Sequence, residues 1–343
     1  MSRKKLLATF LILTLLCPLV DSCSPGNPNT QLQKSGFYFD TVITITLYGS
    51  SHKALLEDCF ALAAKYESYF SNTIPDSDIS KINAAAGGAV TVHEETIELL
   101  EKSIYYSELS DGIFDVTIGK LSDLWNISTK ALLNETDASM VPAKSEIDTA
   151  LATVDYRNIV IDGNEVSLRN PDSRIDLGGI AKGYIADKMK AYLKEHHVTS
   201  GHINLGGNVL CIGEKPDGSP YNIGLQKPFA DDGSSIAAVK IADQTVVSSG
   251  IYERYFKVDD TLYHHLLDTS TGYPIDNELL GVSIITTDSV DGDALSTICF
   301  ALGVDRGMEL IESLPDAEAI FIDADYVLHE SSGIGDNGSL TVF

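Results

Sequence analysis

Cations are scarce in this chain. Across 343 residues there are 24 Lys and Arg against 49 Asp and Glu, a formal net charge of −25 at pH 7. A surface of that sign repels phosphate backbones and anionic headgroups, which excludes nucleic-acid binding and a polybasic grip on membranes. It also sets a condition: a phosphate-bearing ligand needs cations concentrated locally, from a lysine or a metal. Cysteine is sparse as well, with five in the chain. Beyond residue 23 only Cys59, Cys211 and Cys299 remain, widely spaced and odd in number. Neither a disulfide framework nor a zinc site is indicated. Internal repeats and low-complexity blocks are missing too. What is present is 44% hydrophobic residues, ample for a large core.

The N-terminus reads as an export signal. Arg3, Lys4 and Lys5 precede an apolar run from Leu6 to Leu16, too short to span a bilayer as a permanent helix. Val20-Asp21-Ser22-Cys23 resembles a bacterial lipoprotein processing site, with a small residue before the cysteine and Asp21 an unusual occupant. Cys17 is a poorer acceptor, between Leu16 and Pro18. The expectation is a signal peptide over 1–22 and a lipidated N-terminus at Cys23 with a flexible tether over 23–35, rich in Pro, Gly, Asn, Gln and Ser. One main domain follows over 36–343. The protein is then extracytoplasmic and lipid-anchored to a bacterial cell membrane; the alternative is a cleaved signal on a freely secreted protein.

Periodicity predicts a strand within Phe37–Tyr48 and an amphipathic helix over Lys53–Phe70, with Leu55, Leu56, Phe60, Leu62 and Ala63 on one broad face. Further helices are expected over Thr96–Leu109, Ile180–His196, Asp293–Leu302 and Arg306–Ser313. Hairpins are expected over Arg157–Leu168, turning at Asp162-Gly163-Asn164, and over Ala319–Glu330. Strands fall near His202–Ile212, Tyr221–Gln226, Ile236–Val247, Tyr255–Val258, Leu262–Leu267 and Gly281–Thr287. Helices and antiparallel hairpins are interspersed, so the fold class is α+β (mixed α/β).

Five clusters carry possible chemistry. In Asp176-Leu177-Gly178-Gly179-Ile180-Ala181-Lys182 an acid and a lysine flank a Gly-Gly turn that opens a helix. Such a turn lets a ligand approach the backbone and aims free N–H groups at an anion. Lys182 opposes the helix dipole, a poor choice for stability alone; alternatively the stretch is a tight strand-to-helix turn with a solvated lysine. Ile203-Asn204-Leu205-Gly206-Gly207-Asn208 suits a close ligand approach or a β-bulge. Asp293 and Thr297, four apart on a helix, offer one carboxylate and one hydroxyl to a hard cation such as Mg²⁺; alternatively Asp293 caps the helix and Thr297 is a core contact. His264 and His265 face opposite sides of an extended strand, so at most one enters a cleft, where Asp268 could orient it as a general acid or base. The Asp111–Leu121 loop, with Phe114, Asp115 and Thr117, could bind a ring system with polar edges or simply join two helices.

Taken in order, these motifs resemble the ApbE family, the FAD:protein FMN transferases. The resemblance runs from about Gly36 to the late hairpin. It rests on Phe70-Ser71 with Pro75–Asn83, Gly112–Leu121, Asp176–Asp187, Ile203–Asn208, Val247–Phe256, Tyr263–Pro274 and Asp293–Thr297. It implies a T-fold-like single domain with antiparallel or mixed sheets and flanking helices. It also implies a Mg²⁺-dependent transfer of FMN from FAD, as a phosphoester, to a Ser or Thr hydroxyl of an acceptor flavoprotein, releasing AMP. By the family pattern Asp293, Thr297 and the Gly179 carbonyl hold the metal, and His265, Asp293 and Lys182 are catalytic. Phe39, Ile113, Phe114, Asp115, Thr117, Asp176, Lys182, Glu253 and His265 line the FAD site. The chain departs from the pattern at Thr73, where relatives carry an aromatic, at Lys120, and at Thr269-Ser270, which replaces Pro-Arg and removes a cation near the histidine. Alternatives of other kinds are an FAD pyrophosphatase yielding FMN and AMP, a flavin-binding lipoprotein without turnover, and an electron carrier holding FAD permanently.

Overall fold

The computed structural model describes residues 29–133, 136–230 and 232–343; Cys23, its processing site and the signal lie outside them. Strand Thr41–Tyr48 shows how the core is written. Its alternating Ile43, Ile45 and Leu47 are fully buried, each worth about 1.5–3 kcal/mol over exposure. It belongs to an eight-stranded antiparallel sheet whose order is Gln31–Tyr38, Thr41–Tyr48, Ser200–Leu205, Asn208–Gly213, Thr245–Gly250, Leu279–Thr286, Ala317–Asp323 and Leu328–Glu330. The expected α+β class is what the structure has.

Both faces of this sheet are used, because successive side chains point to opposite sides. One face, carrying Ile203, Leu210, Ile284 and Phe321, packs with helices Lys53–Phe70, Ala181–Glu195 and Ser289–Glu312 in the main core. The other, carrying Cys211, Val246, Ile285 and Ile320, packs against a three-stranded sheet of Tyr221–Gln226, Ser235–Ile241 and Leu340–Val342. A third cluster joins helices Gly119–Trp125 and Lys144–Leu151 to the hairpin Tyr255–Val258/Thr261–His264, around Trp125 and Phe256. Cys59, Cys211 and Cys299 are buried free thiols, and burial pushes each up to about 12.

Several boundaries differ from expectation. Pairing in the first hairpin reaches back to Gln31↔Tyr48, so the folded domain takes in the end of the stretch expected as tether. Phe37–Tyr48 is part of that hairpin rather than one strand. Its two-residue turn is Phe39-Asp40, both at positive φ (51° and 54°), a conformation usually given to Asn-Gly, so no turn signal marked it. His202–Ile212 is likewise two strands, and Gly206-Gly207 (φ 59° and 93°) is the tight turn between them, not a bulge. A Cβ on Gly206 would sit 2.0 Å from Thr41 Oγ1, which locks this turn onto the first hairpin. Ile236–Val247 divides at Asp243 (φ 54°) into strands of two different sheets. The two expected late helices form one run, Ser289–Glu312, broken at Gly303.

Candidate active site

Two helices meet by exchanging carboxylates. Asp187 of Ala181–Glu195 accepts from the N–H groups of Ser289 and Val290, both at 2.8 Å, at the start of Ser289–Glu312. In return Asp293 Oδ2 of the second helix accepts from Gly183 N at 3.0 Å, in the first turn of the first. Each acid sits where exposed N–H groups and the helix dipole favour negative charge. The approach is close: a Cβ on Gly183 would lie 2.3 Å from the Ser289 carbonyl oxygen. Burial nevertheless pushes the Asp187 carboxyl up to about 7.

The exchange has a chemical consequence. Gly183 is the third residue of its helix, where an N–H has no partner within the helix. Asp293 supplies one, and among the described residues no hydrogen bond reaches the Gly179 carbonyl, which precedes the cap at Ile180. Thr297 Oγ1 lies 3.6 Å from where a Gly179 Cβ would be, and it too has no hydrogen-bond partner among the described residues. Lys182 Nζ reaches Asp293 Oδ1 at 3.3 Å and the Gly178 carbonyl at 3.1 Å. The first glycine turn therefore differs from the expected anion cradle. Its Ile180 and Ala181 N–H groups return to the Leu177 carbonyl, and its Gly183 N–H serves a carboxylate. A carboxylate, a hydroxyl and a bare carbonyl face the same turn. They are hard oxygen donors of the kind Mg²⁺ takes while keeping places for water and phosphate. Among the described residues no group of three His, Cys, Asp or Glu could hold a metal; the arrangement here has a single carboxylate.

Around it lie the other expected residues. The strand expected over Leu262–Leu267 is Thr261–His264, and His265 lies just past its end. His264 is buried, with its Nε2 bonded to the Ile275 carbonyl at 2.9 Å and its Nδ1 accepting from Leu266 N at 3.3 Å. These bonds fix the neutral Nε2–H form, and burial holds the pKa down at about 4. His265 is half-buried, and its Nδ1 points at the Arg254 carbonyl 3.3 Å away. A carbonyl can only accept, so Nδ1 carries the hydrogen and Nε2 is left with its lone pair. Burial, joined by the charges of Arg254 and Lys182, lowers this imidazole to about 3, so it is neutral at neutral pH. Asp268 does not orient it; that carboxylate closes its own turn with Ser270 and Thr271.

Glu253 Oε1 lies 3.4 Å from the position of a Gly207 Cβ. The surrounding protein raises the Glu253 carboxyl to about 7 against the pull of Lys182 and Arg254, although the residue is exposed to solvent. Phe39, at the hairpin tip, donates its N–H to Glu67 Oε1 at 2.6 Å. Asp176 Oδ1 accepts from Gly178 N at 2.9 Å.

The Ile113–Thr117 loop is held from within. Asp115 Oδ1 takes Thr117 N (2.8 Å) and Oγ1 (2.6 Å), and its Oδ2 takes Tyr156 N (2.7 Å). Thr117 Oγ1 also accepts from Asp155 N at 2.8 Å, so these two side chains tie the loop to the Asp155–Tyr156 segment. Phe114 is buried, with its ring edge 3.2 Å from the Gly179 Cβ position. Two of the departures have local work: Thr269 Oγ1 donates to the Gly112 carbonyl at 2.8 Å, and Lys120 pairs with Asp172 at 3.2 Å.

The ApbE family model matches residues 39–321. The chain belongs to the ApbE family. Curated relatives within it include the FAD:protein FMN transferase of Klebsiella pneumoniae (strain 342), 39% identical over 82% of this chain and 85% of that protein. Another is the FAD:protein FMN transferase of Treponema pallidum (strain Nichols), 31% identical over 95% and 93%. Among solved structures, the ApbE protein of Thermotoga maritima is 30% identical, with a TM-score of 0.81 over 89% of this chain and 98% of that one. The flavin transferase ApbE from Vibrio cholerae gives 26% and 0.78, over 90% and 99%.

Within this ApbE fold, sequence reasoning passed over Arg254 and Glu67. Arg254 stood in a quoted motif without a role; its signal was a cation beside an acid in a chain short of cations. Glu67 lies on the amphipathic helix Lys53–Phe70 and carried no signal, because its partner is a backbone N–H 28 positions away.

Proposed function

We propose that this protein is a FAD:protein FMN transferase: it moves the FMN moiety of FAD, as a phosphoester, onto a Ser or Thr hydroxyl of an acceptor flavoprotein and releases AMP. The observation that supports the reading is the helix crossing that seats Asp293 on the Gly183 N–H, beside Lys182 and close to Thr297 and the Gly179 turn, whose oxygens make one donor set. Mg²⁺ is the ion this set suits, and when bound it neutralises charge gathering on the phosphate oxygens. Lys182 adds a fixed positive charge in the same place. His265, neutral and hydrogen-bonded through Nδ1, offers Nε2 as the acceptor for the hydroxyl proton. The hydroxyl oxygen forms a bond to the FMN-side phosphorus while the bond from that phosphorus to the bridging oxygen breaks. AMP leaves with that oxygen and its electron pair.

Asp293→Asn tests the donor set. The amide keeps an oxygen for Gly183 N–H but loses the charge, so Mg²⁺-stimulated AMP release from FAD falls by about 100-fold or more while the circular-dichroism spectrum is unchanged. Wild-type Mg²⁺ dependence in this variant contradicts the assignment. The anchor belongs to the same reading: diacylated Cys23 holds the domain at the outer side of the cell membrane, next to extracytoplasmic flavoproteins.

A further inference from the structure

We propose that Arg254 is the second cation of this site and binds the phosphate that is transferred. The inference rests on the transferase reading above. A site for a pyrophosphate in a protein of net charge −25 must gather positive charge, yet Asp176, Glu253 and Asp293 all stand around the glycine turns. Lys182 is already committed to Asp293 at 3.3 Å. Arg254 is not committed to any acid: its two side-chain hydrogen bonds are long and go to neutral oxygens, Ser128 Oγ at 3.2 Å and the Asp40 carbonyl at 3.3 Å. Among the described residues its guanidinium makes no ion pair. Bonds of that length to uncharged partners are readily exchanged for the charge-assisted, bidentate contact a phosphate offers.

Its position is set by three elements at once. The Asp40 carbonyl is at the hairpin tip beside Phe39, Ser128 is in helix Ile127–Lys130, and Arg254's own carbonyl faces His265 Nδ1. The charge is felt by both neighbours, pulling Glu253 down and opposing a proton on His265. The contact with His265 is made by the Arg254 backbone, which fixes where the side chain starts. The guanidinium itself reaches the hairpin tip at the Asp40 carbonyl, and its charge acts on both His265 and Glu253. We assign it to the FMN-side phosphate because that is the phosphate the proton acceptor serves.

A structural clamp would use the same two hydrogen bonds, so the test compares ligands that differ only in a phosphate. FMN and riboflavin are titrated by flavin fluorescence into the wild-type protein and into Arg254→Gln with Mg²⁺ present. The expected result is that the variant loses its preference for FMN over riboflavin by at least about 10-fold while riboflavin affinity is kept. Equal loss for both ligands, or an unchanged preference, overturns the proposal. In the wild-type protein, FMN but not riboflavin is expected to protect Arg254 from phenylglyoxal, read by peptide mass. Protection by neither overturns the proposal whether or not the glutamine variant folds. Failure of the wild-type protein to bind FAD or FMN at all would instead overturn the flavin reading itself.

Discussion

At the residue scale, two adjacent histidines have opposite fates. His264 is neutral because both ring nitrogens are already committed, Nε2–H to the Ile275 carbonyl and Nδ1 to Leu266 N–H. Protonating Nδ1 would set donor against donor in a buried place. Its pKa falls from 6.5 to about 4 on folding, so between those values the unfolded chain binds the extra proton and the folded one does not. This contribution to stability is complete above pH 6.5 and is lost as pH drops toward 4, on the order of 3 kcal/mol in all. Asp187, raised to about 7, acts with the opposite sign, costing stability as pH rises from about 4 to 7. Replacing His264 with Gln, whose amide can still donate to Ile275, isolates the histidine. Denaturant melts at pH 7 and pH 5 should show a shallower acid loss in the variant, and an identical slope contradicts the assignment. The family resemblance singled out His265 of the pair. That the strand ends at His264, that His264 is buried on the Ile275 carbonyl and that Asp268 turns away depended on contacts the sequence does not display.

At the element scale the site is a product of one helix crossing. Gly183 allows helices Ala181–Glu195 and Ser289–Glu312 to touch, and the contact delivers Asp293 to the first helix's N-terminus. Gly183→Ala is expected to force the helices apart, since the added carbon would meet backbone atoms at 2.3–2.6 Å. Overpacking of this kind costs about 1–3 kcal/mol. A thermal melt should show the loss, and Mg²⁺ titration of FAD turnover should show a right-shifted midpoint. A variant as stable as wild type, with the same Mg²⁺ midpoint, contradicts the crossing as the origin of the site. Helix Lys53–Phe70 was read to the residue, because its apolar spacing is strong and local. The Phe39-Asp40 turn was missed because two bulky or charged residues occupy a left-handed conformation that sequence reasoning assigns to Gly or Asn. That tip is held from outside, by Glu67 on the Phe39 N–H and by Arg254 on the Asp40 carbonyl. Strained backbone kept in place by its surroundings is common where a ligand is bound.

On the scale of the whole molecule, the sequence motifs are scattered over more than 200 positions and the sheet collects them. The Gly206-Gly207 turn meets the first hairpin because strands Thr41–Tyr48 and Ser200–Leu205 pair side by side, and Glu253 joins them because Thr245–Gly250 pairs with Asn208–Gly213. The order of motifs was readable without the structure; their convergence was not, since it is written in long-range strand pairing. Acidic composition makes Lys182 and Arg254, two cations beside the glycine turns, stand out. If Cys23 is the lipidated terminus, Cys23→Ala should move the protein from the membrane to the soluble fraction without changing its turnover in solution, checked by fractionation and AMP release. Retention in the membrane contradicts a lipid anchor at that residue.

The central claim is that FMN is transferred to a protein hydroxyl. It is tested most directly by intact-mass spectrometry of a Ser/Thr-bearing acceptor flavoprotein domain after incubation with this protein, FAD and Mg²⁺. The expected result is a gain of one FMN on the acceptor, matched mole for mole by AMP and abolished by chelation. AMP and free FMN with an unchanged acceptor mass, repeated across acceptor domains, would contradict it and make the protein a pyrophosphatase.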